Sequence, residues 1–180
     1  AGDIIGVFDP GIFSIGDTLC TAAKKFRFDP IPTFAPEHFK RVRSLDTMKR
    51  KQFVKGMEQI AQEGAIQIFK TPYSGMEEVI VGVVGTLQFD VLEYRLKNEY
   101  NVDLYMEGLP YEYLRWIVRE DEYAEPLKEE ELILGTDTKL VEDYKGNQLL
   151  LFGSQWAIQW TADRNKNLTL REFGGSAADA

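Results

Sequence analysis

The order of strand-like and helix-like segments over residues 38–107 limits the possible folds of this chain more than any other feature. Two segments with helical periodicity, 46–64 and 86–100, place apolar residues on one face and charged residues on the other. Strand-like stretches lie before, between and after them, including the β-branched run at 79–85. This β-α-β-β-α-β order is that of a ferredoxin-like domain, in which two helices cover one face of a four-stranded antiparallel sheet. The sequence therefore predicts an α+β fold.

Residues 109–173 predict a second, looser α/β half that repeats this pattern in part. A strand-like stretch at 111–118 comes first, and a later hairpin is predicted to turn at 145–147. Between them, the acidic stretch around Pro126 is compatible with a short helix or a loop. Ser154 is a candidate cap for a helix, and a final strand-like stretch follows that helix.

Two apolar runs near the N-terminus, 4–8 and 12–13, predict two strands because the turn signal Asp9-Pro10-Gly11 separates them. An isolated hairpin is marginal in water, so we expect further strands to complete this sheet. Three prolines within residues 30–36 then predict an extended connector. The predicted domains are residues 1–29, a C-terminal domain at 30–173 with its core at 38–107, and a flexible tail at 174–180.

The composition favours a folded cytoplasmic protein. Hydrophobic residues make up 44% of the 180 residues, which is enough for a sizeable core. No apolar run approaches the about 20 residues of a membrane span, and the N-terminus lacks the basic and apolar parts of a signal peptide. The single cysteine, Cys20, allows no internal disulfide and suits a reducing compartment.

Residues with catalytic or metal-binding chemistry are few. The only histidine, His38, and the only cysteine, Cys20, fall in different predicted elements, and a structural zinc site needs about four such ligands. No G-x-x-x-x-G-K-[ST] loop occurs. The glycines of the strand–helix junction at 82–88 are interpreted as letting the helix begin close to the sheet. We predict no catalytic, cofactor-binding or metal-binding residues in this chain.

Charge is unevenly distributed around a net charge of −8. Residues 24–55 hold ten Lys and Arg against three acids, whereas residues 119–145 hold ten acids against four bases. The basic stretch predicts an anionic partner such as RNA, with pairing to the acidic half as the alternative. Cations at the start of the helix after Asp46 cost about 0.3–1 kcal/mol each, which a bound anion would offset. The candidate RNA-contacting residues are Lys40, Arg41, Arg43, Lys49, Arg50, Lys51 and Lys55.

Several stretches resemble a known family. The G-D-I and G-D-T-L stretches within residues 1–20 resemble the end of the EF-Tu-like second-domain β-barrel of translational GTPases. Residues 32–69 and 81–116 are similar to bacterial peptide chain release factor 3. The shared motifs are F-A-P-E-x-F, E-E-G-A-x-Q-x-F (with Gln62 in place of the first Glu) and V-G-x-L-Q-F-D-V. The resemblance covers residues 1–118 well and is weak after them.

The resemblance implies the end of that β-barrel at 1–29, followed by the family's α+β C-terminal domain. The family's activity belongs to the whole protein, a GTPase that acts on the ribosome after peptide release and drives off the codon-reading release factors for recycling. No position here matches the family's GTP motifs, so GTP and Mg²⁺ are expected in a missing N-terminal GTPase domain, and this part is expected to be non-catalytic. The implied partners are ribosomal RNA, ribosomal proteins and the protein's own GTPase domain, with no membrane.

Two alternatives remain at this point. The chain could be the corresponding part of another translational GTPase, such as an elongation factor or a ribosome-protection protein. The junction Gln88-Phe89-Asp90 argues against that alternative, because elongation factor G has G-E-L-H there. The chain could also be a stand-alone enzyme or binding module on a ferredoxin-like scaffold, which a pocket of convergent carboxylates with shifted pKa values would support.

Overall fold

The computed structural model describes residues 2–8, 12–13, 15–21, 26, 28, 34–118 and 126–172. The chain divides into two compact units, residues 1–32 and 33–180. Among the described residues, no helix is long and apolar enough to cross a membrane. Several predicted features lie outside the described residues, namely the turn at 9–11, the prolines at 30 and 32, the acidic residues of 119–125, and the tail at 174–180.

The larger unit has eight strands and three helices among its described residues. The strands are β1 (His38–Ser44), β2 (Gln67–Lys70), β3 (Glu78–Val83), β4 (Leu104–Leu109), β5 (Tyr113–Val118), β6 (Thr138–Asp143), β7 (Gln148–Phe152) and β8 (Thr169–Glu172). The helices are α1 (Arg50–Gln62), α2 (Leu87–Tyr100) and α3 (Gln155–Arg164).

The first part of this unit confirms the predicted ferredoxin-like order. Its elements run β1-α1-β2-β3-α2-β4, and the strands lie side by side as β4-β1-β3-β2, each pair antiparallel. In the middle of β1, Val42 lies opposite Val79 of β3 on one side and Met106 of β4 on the other. The predicted α+β class is therefore confirmed.

The second part extends the same sheet with an order of elements like that of the first part. Its elements run β5, the 3-10 turn Glu129–Glu131, β6, β7, α3 and β8, so the short turn stands where the first part has α1. Its strands lie in the order β6-β7-β5-β8, which corresponds to β2-β3-β1-β4 in the first part. Strand β6 joins the free edge of β2, with Phe69 opposite Asp143 and Lys70 opposite Glu142, which gives the order β4-β1-β3-β2-β6-β7-β5-β8. An edge strand presents unpaired backbone groups, and β6 satisfies those of β2.

Alternate residues of the central strands belong to different apolar clusters. In β3, Val79 packs in the cluster beneath α1 and α2, whereas Ile80 belongs to a second cluster on the opposite face. That second cluster also contains Leu149 of β7, so it joins both parts of the sheet. Strands β4 and β5 stand first and seventh in the sheet order, yet only residues 110–112 link them, so the long sheet must curl, as twisted sheets do. On the outer face of the second half, α3 packs Ala157 in a third cluster with Leu150.

Three predicted helix-end signals are confirmed. The carboxylate of Asp46 accepts a backbone N–H bond of 2.9 Å and caps the 3-10 turn Thr47–Lys49 that leads into α1. Gly64 follows the end of α1 with φ +78°, a conformation that glycine adopts without a Cβ penalty. The hydroxyl of Ser154 accepts a backbone N–H bond of 3.2 Å at the start of α3.

In the smaller unit, the described residues 2–8 and 12–13 form no strand, so the two predicted strands were wrong there. The side chains of Ile4 and Phe8 are 100% and 88% exposed, and without burial a strand gains little stability. The predicted corner is present as a turn at Gly16, which has φ +96°. The assignment of residues 1–29 to a barrel domain stays a prediction.

Candidate nucleic-acid interface

The seven basic residues predicted to contact RNA do not share one surface. Side chains alternate along β1, and Lys40 points to the helix side, where its Nζ lies 4.5 Å from the centroid of the Phe89 ring. Arg41 and Arg43 flank Val42, whose own side chain packs beneath the helices, and therefore point to the opposite face of the sheet. The other four belong to α1 or the turn before it, namely Lys49, Arg50, Lys51 and Lys55.

The two arginines of β1 have partners on β3 and β4. The Nη1 of Arg41 lies 3.1 Å from a carboxylate oxygen of Glu107, and its Nε lies 3.5 Å from Glu78. The guanidinium carbon of Arg43 lies 4.6 Å from the centroid of the Tyr105 ring. These contacts give both arginines a structural role at the sheet surface, which a sequence cannot show before strand register is known.

The cations of α1 face outward because of helical spacing. The buried side chains Phe53, Met57 and Ile60 recur every three or four residues and pack against the sheet. Lys51 and Lys55 lie on the other side of the helix and are exposed. The amphipathic pattern of the sequence therefore places these two lysines at the surface, as predicted.

Three of the predicted residues line one shallow groove. The groove has a volume of about 370 Å³ and is formed by Arg50, Lys51, Val54, Lys55 and Glu58, and we call it the α1 groove. It combines three cations with one carboxylate and the apolar surface of a valine. Such a surface suits a phosphate-bearing polymer, because the cations attract phosphate while the lysine stems remain in contact with apolar groups.

The cations around this groove differ in their partners. Arg50 forms an ion pair with Glu77. Lys51 and Lys55 form no ion pair within the part of the chain that the structure describes. The first turn of α1 contains no acidic residue. The two lysines are therefore the cations in this groove that remain available to an anion.

Lys49 does not line the α1 groove and instead contacts the end of α2. Its Nζ donates a hydrogen bond of 2.6 Å to the carbonyl oxygen of Asn101, the residue that ends α2 in a left-handed conformation. A cation at the C-terminal end of a helix is stabilised by the macrodipole. The unfavourable position of Lys49 next to the start of α1 is thus offset by its favourable position at the end of α2.

A second pocket adjoins the α1 groove through the shared residue Glu58. It has a volume of about 320 Å³, and its lining includes Lys70, Asp143 and Tyr144. Burial and the neighbouring Glu58 carboxylate raise the pKa of the Tyr144 hydroxyl. Sequence patterns do not point to Lys70, because it meets Asp143 and Tyr144 in this second pocket only through the pairing of β2 with β6.

Two backbone amides of the strand–helix junction at 82–88 already have a side-chain partner. The Oε1 of Gln88 accepts hydrogen bonds from the backbone N–H groups of Val84 and Gly85, at 3.0 and 2.9 Å. A Cβ on Gly82 would lie 2.9 Å from Pro36, so this glycine allows close packing of Pro36 on β3, and not the close approach of α2 to the sheet that the sequence suggested. A Cβ on Gly85 would meet nothing within 4 Å, so that glycine has no packing role.

Other chemistry is sparse among residues 34–118 and 126–172. No group of three or more His, Cys, Asp and Glu side chains could hold a metal ion in the described part of the chain. A hydrogen bond from Arg95 lowers the pKa of Glu63 and of Glu99, but all three belong to a surface ion-pair network and line neither pocket. These shifts therefore do not mark a carboxylate site of the kind a stand-alone enzyme needs.

Comparison with known protein families matches residues 28–162 to the family described as "Class II release factor RF3, C-terminal domain". The chain is also 47% identical over 171 residues to peptide chain release factor 3 of Symbiobacterium thermophilum. It is 43% identical to the protein of the same name from Listeria welshimeri and 42% identical to that from Macrococcus caseolyticus.

These alignments cover 94–95% of this chain but 31% of the first two relatives, so the chain spans about a third of the length of the curated relatives it matches. The family match covers the whole of the ferredoxin-like part and most of the strands after it. The family motif V-G-x-L-Q-F-D-V includes Gln88, whose side chain accepts a hydrogen bond from the backbone N–H group of Val84 at the junction of β3 and α2. The chain belongs to the peptide chain release factor 3 family, of which it carries the C-terminal domain.

Proposed function

We propose that this chain is the C-terminal ribosome-docking region of a translation-termination GTPase. The whole protein would promote dissociation of the codon-reading release factors from the ribosome so that they are recycled. The name of the relatives, peptide chain release factor 3, supports a role in termination. The observation that carries the docking role is the pair of exposed lysines in the α1 groove, Lys51 and Lys55, which form no ion pair with a described carboxylate.

Ribosomal RNA is the partner whose chemistry fits the α1 groove. RNA presents closely spaced phosphates, and lysines that are held near one another without carboxylate partners gain affinity by displacing its counterions. Lys51 also lies near the positive end of the helix dipole, since α1 begins at Arg50. Arg50 contributes further positive charge, although its contact with Glu77 fixes it in place.

GTP and Mg²⁺ would bind outside this chain. The chain spans about a third of its relatives, and the sequence contains no phosphate-binding loop. We expect that the purified chain releases no phosphate from GTP above the rate of a blank, with or without 70S ribosomes. A full-length relative serves as the positive control in the same assay. Measurable turnover by the chain alone would contradict this assignment.

The domain would couple ribosome contact to the nucleotide state of the rest of the protein. Its partners would be ribosomal RNA, ribosomal proteins and the protein's own GTPase domain, in the cytoplasm where translation takes place. The continuous eight-stranded sheet supports this role, because a rigid body transmits a displacement at one face to the other. It would act by binding and positioning, without a catalytic residue of its own.

The groove is tested by reversing its two lysines in the full-length protein. We expect the double variant Lys51→Glu, Lys55→Glu to bind 70S ribosomes at least about tenfold more weakly at low salt. The slope of log affinity against log salt should fall by about 2, since each lost phosphate contact removes about one unit. Ribosome binding is measured by co-sedimentation over a series of salt concentrations.

The matched control is the double variant Lys128→Glu, Lys166→Glu. It makes the same change in net charge at exposed lysines near α3, far along the sheet order from α1. We expect this control to bind ribosomes much as the wild type does. Equal losses in both double variants, or an unchanged salt slope for the α1 variant, would rule out the α1 groove as the RNA contact.

A further inference from the structure

The outer face of α3 carries an aromatic row that the core does not use. The ring centroids of Trp156 and Trp160, one helical turn apart, lie 6.3 Å from each other with an angle of 34° between the planes. The guanidinium carbon of Arg164, one turn further on, lies 5.4 Å from the centroid of the Trp160 ring. We call these three residues the tryptophan row. It consists of two tilted indoles in contact, with a cation against the second.

The open end of the row is solvent-accessible. Trp156 is 69% exposed, although tryptophan is the largest side chain and gains most from leaving water. Other residues of α3 attach the helix to the sheet, among them the buried Ala157 and Thr161. Folding therefore does not explain why an indole occupies position 156. Exposed tryptophan and arginine side chains are the residue types most enriched where binding energy is concentrated.

The segments around the row carry more carboxylates than cations, although Lys128 and Lys166 also lie there. The segment 127–137 packs against α3, since Asn165 exchanges hydrogen bonds of 2.8 and 2.9 Å with the backbone of Ile133. This segment and α3 bring several carboxylates to the same side of the sheet. None of them forms an ion pair within the described residues, and they are Glu129, Glu130, Glu131, Asp137 and Asp163.

We propose that the tryptophan row is a binding site for a basic protein segment. An arginine or lysine of that segment would stack on the exposed face of Trp156 and continue the row, while its neighbours meet the carboxylates that have no ion pair. The same carboxylates would repel RNA phosphates. Since α3 and α1 cover outer faces of opposite halves of the sheet, the domain would offer one surface to RNA and another to protein. The proposal does not depend on the function proposed for the α1 groove.

The test measures binding of a fluorescein-labelled decapeptide of alternating arginine and glycine to the whole chain by fluorescence anisotropy. We expect saturable binding at low salt, and a dissociation constant at least about tenfold higher for Trp156→Ala. Trp156→Phe keeps an aromatic face and should retain most of the affinity. The matched control is Tyr94→Ala, which removes an aromatic side chain of the same 69% exposure from α2. We expect the control to change the dissociation constant by less than about twofold.

Three results would overturn the proposal. The first is absence of saturable peptide binding. The second is an equal loss of affinity in Trp156→Ala and Tyr94→Ala, which would show attraction by the net charge of −8 alone. The third is tight binding of labelled decauridylate that Trp156→Ala removes, which would make the row a nucleic-acid site.

A double variant Glu129→Gln, Glu130→Gln tests the carboxylates. We expect it to weaken peptide binding and to reduce the salt dependence of that binding, and unchanged values would refute the role of the carboxylates.

Discussion

The side chain of Gln88 holds the start of α2 to the backbone of Ala65, with the Nε2 and carbonyl oxygen 2.7 Å apart. The same side chain accepts hydrogen bonds from the N–H groups of Val84 and Gly85 through its Oε1. One glutamine therefore connects the end of β3, the start of α2 and the segment that leads into β2. It also occupies two of the amides that a phosphate could use at a strand–helix junction.

Replacing Gln88 should destabilise the domain. We expect Gln88→Ala to lower the free energy of unfolding by about 1–3 kcal/mol, because three backbone partners lose their hydrogen bonds. The measurement is urea denaturation followed by circular dichroism. Gln52→Ala is the matched control, since Gln52 is exposed on α1, and its loss should change stability by less than about 0.5 kcal/mol. Equal effects of the two substitutions would show that the junction is not held by Gln88.

We expect a methyl group at Gly82 to destabilise the domain, because the packing on one side of β3 leaves no room for it. A Cβ there would lie 2.9 Å from the Cβ of Pro36 and 3.0 Å from a ring carbon of Phe69. We expect Gly82→Ala to cost about 1–3 kcal/mol of unfolding free energy, since a close-packed core has no room for an added group. Thermal unfolding with calorimetry gives the value.

Gly108 provides the comparison for Gly82. It lies in the edge strand β4, where a Cβ would meet nothing within 4 Å. We expect Gly108→Ala to be neutral or slightly stabilising, because alanine reduces the conformational freedom of the unfolded chain. A Gly82→Ala protein as stable as the wild type would show that Pro36 moves away at little cost.

Acid should destabilise this domain partly through Arg95. Hydrogen bonds from its guanidinium lower the pKa of Glu63 and of Glu99, with Nε 2.8 Å from Glu99. A carboxyl whose pKa is lower in the folded state than in the unfolded state binds fewer protons when folded. Its contribution to stability is therefore present above the ordinary glutamate pKa and is lost as the pH falls through the folded value.

Arg95→Met tests this linkage. We expect its unfolding free energy to fall less than that of the wild type as the pH is lowered from about 7 to about 3, because both carboxyls regain ordinary pKa values. The measurement is the urea midpoint at a series of pH values. Lys166→Met removes an exposed cation that has no ion pair among the described residues, and it should keep the wild-type pH dependence. An identical acid response in both variants would contradict the role of Arg95.

Local patterns determined the elements of the larger unit. The spacing of Phe53, Met57 and Ile60 is enough to define α1 and its buried face, because apolar residues three or four positions apart indicate a helix. The signals at Asp46, Gly64 and Ser154 act over a few residues, so helix ends were predictable as well. The prediction of strands near the N-terminus failed because apolar runs show what a strand would bury, not whether a partner is there to cover it.

Strand partners and surface composition were decided by the tertiary structure. The pairing of β2 with β6 joins residues more than 70 positions apart, and no periodicity reports such a contact. This pairing brings Asp143 and Tyr144 to Lys70 in a pocket beside α1, and the sheet separates Arg41 and Arg43 from the lysines that follow them in sequence. The sequence by itself determined the α+β elements, the family and the presence of basic residues. Which of those cations remain without a partner depends on long-range contacts, because a charge is neutralised by its neighbours in space, not by its neighbours along the chain.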